Sequence, residues 1–361
     1  MIVAEASARL QSVLTSPLSR ITDAIGQLDR AGTGALLLSE DGKALWGLLT
    51  DGDIRRAILG GISLWRPCGE IATRQPTVGL PEMEPAEILN LMNEQDINQL
   101  PMLDAKGGEI VGLLLRRDLV PDDELPVSAV IMAGGMGKRL MPLTDDTPKP
   151  MLPVGDRPLL ETIIQRLQRS GISRVHVTTH HLADQIKDYF GDGRKLGVDI
   201  RYVSEDRPLG TAGGLGLLDQ PSEPLLVING DILTNLSFRD LVSYHRKHRA
   251  DVTIGVRKYD FEVPYGVVEC DGPAVRNLKE KPSFGFLVNA GIYLLEPSVT
   301  QFIPRGQRFD MTDLIQKLLE AGRPLVSYPI VEHWLDVGRH DDYRRAQEEI
   351  AHAQGDRRRR G

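Results

Sequence analysis

Between Ala129 and Pro158 the chain reads AVIMAGGMGKRLMPLTDDTPKPMLPVGDRP, and here residue types and spacing first suggest chemistry. An apolar run ends in a turn where Gly134, Gly135 and Gly137 allow positive φ and let backbone amides approach a phosphate closely. Such a loop is an anion cradle. Leu140 stands where a dinucleotide fingerprint would place its third glycine, and Arg139 follows Lys138 where a P-loop requires Ser or Thr, so both common phosphate motifs fail on spacing. Farther along, Asp231 closes the apolar run LLVING, which puts its carboxylate at the carboxyl end of a strand, where open α/β sheets bind ligands.

The elements that position these residues are apolar strands alternating with helices: VSAVIMAG, PLLETIIQRLQRSG, RVHVTTH and LLVINGD. The expected fold is α/β, with a doubly wound, mostly parallel sheet. The helix opening at Pro158 carries Leu159, Leu160, Ile163, Ile164 and Leu167 on one side and stops before Gly171. Upstream, ITDAIGQLDRAGTGALLLSEDGKALWGLLTDGDIRRAI and AEILNLMNEQDINQLPMLDAKGGEIVGLLLRRDLV follow one order of helix, strand, turn, strand and helix. Their matching ends GLLTDGD and GLLLRRD start at Gly47 and Gly112, 65 residues apart, which suggests a duplicated small α/β unit. The proline-flanked polar run PDDELP after Val120 has linker chemistry. The expected domains are therefore 1–122, 126–350 and a frayed, arginine-rich tail over 351–361.

With 361 residues, two domains can each bury a core. A formal charge of −7 gives no reason to expect nucleic acid. Cys68 and Cys270 lie outside any metal-ligand spacing and fit a reducing compartment. No signal-peptide pattern opens the chain, and no run reaches the roughly 18 apolar residues of a membrane helix, so the expectation is a cytoplasmic protein without membrane contact. His180 and His181 follow a strand with no evident partner and are expected near the surface.

The run G-G-x-G-x-R-L-x-P-L-T followed by P-K-P-M-L-P resembles the sugar-1-phosphate nucleotidylyltransferase family, and the likeness extends from about Pro126 to Arg345. The resemblance implies a Rossmann-like catalytic domain whose loop, Ala133 with Gly134, Gly135 and Gly137, binds the nucleotide. It implies that Arg139 stabilises the triphosphate and that Lys149 reaches the reacting phosphate. The late element HWLDVGRHDDY resembles the family's W-x-D-x-G element, making Asp336 the partner of Asp231 on Mg²⁺. SEDRPLGTAGGL resembles the nucleobase loop, with Glu205, Gly210 and Thr211 near the base; VPYGVVE, LKEKP and LVNAGIYLL resemble the sugar side, with Gly266, Glu280, Lys281 and Asn289.

The chemistry such a family performs agrees with the residues. A sugar 1-phosphate is already anionic, so its oxygen can attack the α-phosphorus without a general base; what it needs is charge neutralisation and in-line positioning by Arg, Lys and Mg²⁺. The expected reaction joins a nucleoside triphosphate to a hexose or hexosamine 1-phosphate and releases pyrophosphate, as in surface-glycan pathways. GTP is the preferred donor, because the PLGTAGG loop and the N-terminal pair look similar to GDP-sugar-forming enzymes; UTP and CTP stay open. A homo-oligomer is expected.

The two N-terminal repeats resemble CBS modules, which occur in tandem and often bind adenine nucleotides. The effector residues implied are Thr50 and Asp53 in the first copy and Asp118 in the second, where Leu115 replaces the hydroxyl residue. Asp53 serves equally as the N-cap of the helix DIRRAI. With ligand binding alone, the chain would be a catalytically silent nucleotide sensor. The presence of Arg139, Lys149, Asp231 and Asp336 favours the enzyme.

Overall fold

The computed structural model describes residues 6–120 and 124–360; positions 1–5, 121–123 and 361, which include part of the expected linker, lie outside the described residues. The N-terminal repeats follow the expected order except at the end of the second, where among the described residues a 3₁₀ turn over Arg116–Asp118 stands in place of the expected helix. In the first, β1 (Leu14–Thr15), α1 (Ile21–Ala31), β2 (Ala35–Leu38), β3 (Gly47–Thr50) and α2 (Asp51–Leu59) follow one another. Helix α1 buries Ile21, Ala24 and Leu28 at helical spacing and ends where Gly32 takes φ 61°, a left-handed conformation costly for other residues. In the second repeat, α3 (Pro85–Glu94) precedes β4 (Gln99–Leu103) and β5 (Ile110–Leu115). Both hairpins are antiparallel, and Ala35 faces Thr50 in one as Gln99 faces Leu115 in the other. Leu36, Leu37 and Leu49 of the first hairpin share one core with Leu103, Ile110 and Leu113 of the second.

The second domain is built on β6 (Ser128–Met132), α4 (Leu159–Arg169), β7 (Arg174–Thr179), α5 (Ala183–Phe190), β8 (Asp199–Ser204) and β9 (Leu225–Asn229). Next come β10 (Ile232–Thr234), α6 (Phe238–Lys247), β11 (Val252–Glu262), the hairpin β12 (Val267–Asp271) and β13 (Ala274–Lys279), and β14 (Ser283–Leu295). The chain closes with α7 (Met311–Glu320), β15 (Leu325–Pro329), β16 (Trp334–Asp336) and α8 (His340–Arg360). The central sheet has the order β8-β7-β6-β9-β14-β11-β15. Its strands run parallel except β14, which is antiparallel to β9 and β11. Strands β6 and β9 are buried over Ser128–Ile131 and Leu225–Ile228, the near-continuous apolar pattern of a sheet covered on both faces. The last helix, rich in Gln, Glu, Ala and Arg, runs on through most of the stretch expected as a frayed tail. Among the described residues no helix is long and apolar enough to cross a membrane.

The two domains are joined by buried charge. Arg55 of α2 is 4% exposed; its guanidinium meets Asp51 at 2.6 Å and Glu332 at 2.6 Å, donates to Pro329 O at 3.0 Å, and lies 4.3 Å from the Tyr328 ring centre. Val331 completes the junction by entering the N-terminal core. Removing one partner of such a buried pair costs about 3–5 kcal/mol, because the other charge is left uncompensated.

Asp240 of α6 faces this network, and burial together with the nearby Asp51 and Glu332 carboxylates pushes its carboxyl up to about 6, against the pull of Ser237 and Arg55. The folded chain therefore holds this proton more tightly than the unfolded chain does. Its stabilisation is full below the ordinary Asp range and is lost as pH rises through about 6. An Asp240→Asn variant, always neutral, is expected to gain about 1–2 kcal/mol on the parent between about pH 4 and pH 7 in denaturant titrations. A stability difference that stays constant over that range would remove the buried-carboxyl account.

Candidate functional site

Strand β6 delivers the chain into the glycine loop, where Ala133 N donates to Thr178 O and Thr178 Oγ1 of β7, both at 3.2 Å. Gly137 has φ 63°, and a Cβ there would sit 2.8 Å from Thr144 Cγ2 and 3.1 Å from Lys149 Cβ. The loop thus turns tightly over Lys149, and Thr144 Oγ1 locks the turn by donating to Gly137 O at 2.9 Å. Lys149 occupies a short 3₁₀ turn after Pro148 and is buried. Its ammonium donates to Asp231 Oδ2 in a short ion pair. Arg139, on the exposed rim, makes no ion pair among the described residues, yet its charge is felt at Asp336.

Asp231 and Asp336 meet through a two-strand ribbon. Strands β10 and β16 pair antiparallel with Ile232 opposite Asp336, and Val337 N donates to Asp231 O at 2.9 Å. Gly230 leads into the ribbon and passes so close to β6 that a Cβ would lie 2.8 Å from Met132 O. Asp231 Oδ1 and Asp336 Oδ1 are both buried without a hydrogen-bond partner. Burial, followed by the negative charge of Asp231, pushes the Asp336 carboxyl up to about 6, while Lys149 and Arg139 pull it down. Two orphaned carboxylate oxygens beside a phosphate loop suit Mg²⁺, which takes one or two protein carboxylates and completes its shell with water and phosphate. A cluster of three or more His, Cys, Asp or Glu side chains able to hold a metal is absent among the described residues.

In the loop expected to face the nucleobase Glu205 is buried, and burial pushes its carboxyl up. Its Oε2 accepts from Leu209 N at 3.0 Å, and its Oε1 lies 2.8 Å from where a Cβ on Gly214 would stand. His180 Nδ1 contacts Glu205 O at 2.8 Å, which gives that half-buried histidine a partner not visible in sequence. Gly210, at φ 82°, packs against Asp310, whose Oδ1 accepts from Thr211 N at 3.0 Å; Thr211 Oγ1 in turn accepts from Met311 N at 2.8 Å. Asp310 therefore anchors the loop carrying Gly210 and Thr211 to the start of α7, and sequence reading missed it because 99 residues separate the partners.

The residues expected on the sugar side divide. Asn289 Oδ1 accepts from Gly291 N at 3.0 Å, and Gly291, at φ 70°, presses on Asn229, two positions before Asp231; Asn229 Oδ1 is also buried and unpartnered. Asn229 belongs beside the carboxylate pair, and its place in Asn-Gly-Asp was the available signal. Gly266, Glu280 and Lys281 instead lie exposed where β11 and β14 reach beyond the core, with Gly266 packed close to Glu280 Oε2. No described hydrogen bond or ion pair joins Lys281 to the carboxylates.

The N-terminal candidates are engaged with protein partners. Thr50 Oγ1 and N both donate to Asp53 Oδ2, at 2.7 and 2.8 Å, and Asp53 N donates back to Thr50 Oγ1 at 3.2 Å, a reciprocal cap in which Thr50, not the expected Asp53, is the N-cap of α2. Asp118 repeats half of this by accepting from Leu115 N at 2.9 Å, and it pairs with Arg9.

Residues 128–353 match the profile described as nucleotidyl transferase, and residues 68–121 match that of the CBS domain. The chain is 34% identical over 238 residues to a UTP--glucose-1-phosphate uridylyltransferase of Synechocystis sp., covering 60% of this chain and 61% of that protein. It is 33% identical over 232 residues to a mannose-1-phosphate guanylyltransferase of Mycobacterium tuberculosis, covering 62% and 64%. The chain thus spans under two thirds of the length of these relatives. A Bacillus anthracis structure described as a putative glucose-1-phosphate thymidylyltransferase superposes with TM-score 0.50 at 25% identity, over 62% of this chain and 94% of that one. HddC from Yersinia pseudotuberculosis gives TM-score 0.50 and 25% identity over 63% of this chain and 100% of that one. A loop, a buried lysine and a carboxylate pair in this arrangement, within a profile match covering most of the chain, make this protein a member of the nucleotidyl transferase family, carrying a CBS domain ahead of its central sheet.

Proposed function

We propose that the chain transfers a nucleotidyl group from a nucleoside triphosphate to a sugar 1-phosphate and releases pyrophosphate. The observation that carries this reading is the juxtaposition of two orphaned carboxylate oxygens, Asp231 Oδ1 and Asp336 Oδ1, with buried Lys149 under the glycine loop. Asp231 and Asp336 would hold Mg²⁺, which supplies positive charge against the triphosphate. Backbone amides of Gly134 to Gly137 receive phosphate oxygens, and Arg139, exposed and without an ion pair, is available to the β- and γ-phosphates. Lys149, held by Asp231, neutralises the phosphates that must approach each other. A phosphate oxygen of the sugar forms the new bond to the α-phosphorus as the α–β bridging bond breaks, and the electron pair leaves with pyrophosphate. No proton needs removal.

GTP is the proposed donor and a hexose or hexosamine 1-phosphate the acceptor, in line with the guanylyltransferase relative from Mycobacterium tuberculosis. The Synechocystis relative, named for UTP, makes UTP the second reading. Glu205 and the Gly210–Thr211 turn are proposed on the base, and Gly266, Glu280, Lys281 and Asn289 on the sugar. Unpaired Cys68 and Cys270 support a cytoplasmic site of action. The exposed Tyr259, Phe261, Phe284 and Phe286 of the β11–β14 arm support self-association. Resemblance of the N-terminal repeats to CBS modules supports control by an adenine nucleotide.

Pyrophosphate release with Mg²⁺ is expected only when a nucleoside triphosphate and a sugar 1-phosphate are both present, and fastest with GTP; release from neither pairing would overturn the reading. Asp231→Asn is expected to cut that release about 100-fold or more with the melting transition retained, and near-parental rates would remove Asp231 from metal binding. For Gly137→Ala the added Cβ pushes on Thr144 and Lys149, so turnover is expected to fall between about 10- and 100-fold; an unchanged rate would mean that Lys149 tolerates displacement.

A further inference from the structure

Strand β14 is irregular at one place, and that place lies against both strands that lead to Asp231 and Asp336. Toward the core it keeps register with β9 from Leu225–Leu295 to Ile228–Ile292, and with β11 from Val252–Leu295 to Ile254–Tyr293. The next pair on β11 is Val256 with Asn289, so a single residue, Gly255, faces three on β14: Ala290, Gly291 and Ile292. A bulge bends the strand that carries it and re-aims whatever follows. Beyond it β11 and β14 leave the core as an exposed two-strand arm, and Gly266, Glu280 and Lys281 stand where the β12–β13 hairpin joins that arm.

The bulge is gripped from two sides. Gly291, at φ 70°, has no room for a Cβ, which would stand 2.5 Å from Asn229 Nδ2; Asn229 ends β9 and precedes Asp231 by two positions. From the other side Trp334 Nε1 donates to Ala290 O at 2.9 Å; Trp334 opens β16 and precedes Asp336 by two positions. Within the bulge Asn289 Oδ1 accepts from Gly291 N at 3.0 Å. Arg257, two residues past Gly255, adds a further hold by donating to Ile330 O at 2.9 Å and Glu332 O at 2.8 Å, in the segment that leads into β16. We propose that Asn229 and Trp334 are positioning residues for the acceptor: fixing the Ala290–Gly291 bulge from the strands that lead to Asp231 and Asp336, they set where the arm presents the sugar 1-phosphate to those carboxylates. This role rests on the transferase reading above, with the arm as its acceptor side. The leverage is large. From Asn289 to Ser283 the arm runs about 20 Å, so a turn of about 5° at the bulge moves its far end by about 2 Å, and a misplacement of about 1 Å can cost an in-line displacement about 100-fold.

Pyrophosphate release by the full chain tests this role, with GTP and mannose 1-phosphate or UTP and glucose 1-phosphate as probes, whichever pair the parent turns over faster. Trp334→Phe keeps a ring and removes the N–H, and kcat/KM for the sugar 1-phosphate is expected to fall about five-fold or more, the weight of one neutral hydrogen bond. KM for the nucleoside triphosphate and the Mg²⁺ concentration for half-maximal release are expected to stay within about two-fold of the parent. Asn229→Ala, which empties the space beside Gly291, is expected to give the same split. A loss shared by both substrates and Mg²⁺, as a merely weakened ribbon would give, overturns the role, and so does an unchanged kcat/KM for the sugar 1-phosphate in both variants. Hydrogen exchange supplies a readout that needs no turnover: amides over 284–288 are expected to exchange about five-fold faster in Trp334→Phe, with those over 225–228 unchanged. Equal exchange in variant and parent overturns the grip. A parent that released no pyrophosphate from either pair would sink the transferase reading, and with it the acceptor role, leaving exchange to decide the grip alone.

Discussion

Two like charges do not stay together unaided, and the second domain of this molecule is organised around holding Asp231 beside Asp336. The ribbon of β10 and β16 fixes their backbones opposite each other, Lys149 neutralises one of them, and burial together with the Asp231 charge pushes the Asp336 carboxyl up. Each supporting feature has a reason in that constraint. Gly137 must lack a Cβ so that the loop can close over Lys149, and Gly230 must lack one so that the chain can leave β9 against β6 and enter the ribbon.

That ribbon is held from outside its own domain as well. Asp29 closes one end, Arg55 clamps the segment just ahead of it at Pro329 and Glu332, and Val331 lies in the N-terminal core. The N-terminal repeats are consequently part of the scaffold of the site. Their influence reaches the carboxylates through hydrogen bonds and packed side chains, a contiguous physical path with named members.

What was legible in sequence was whatever depended on neighbours along the chain. The glycine turn, the strand-end position of Asp231, the doubled N-terminal unit and the face of α4 each follow from local spacing. The antiparallel direction of β14 was not legible, since the run LVNAGIYLL reads as a buried strand in either orientation. Nor were Asp310 under the Gly210–Thr211 turn, the unpartnered Asn229, or the grip of Asp29 and Arg55, because their partners lie about 60 to 300 residues away and no period marks them. Thr50 and Asp53 show the converse. Their spacing served both a helix cap and a ligand contact, and the folded hairpin satisfies their hydrogen bonds within the cap.

Arg55 and Glu332 stand 277 positions apart, which gives the junction a consequence in time. A ribosome adding about 5–20 residues each second needs roughly 15–55 s to travel from one to the other. Through that interval the N-terminal repeats carry a guanidinium whose second acid does not yet exist, and an apolar core still lacking Val331. Completion of the N-terminal repeats therefore awaits the segment between β15 and β16, so that the junction can close only after most of the second domain has been made.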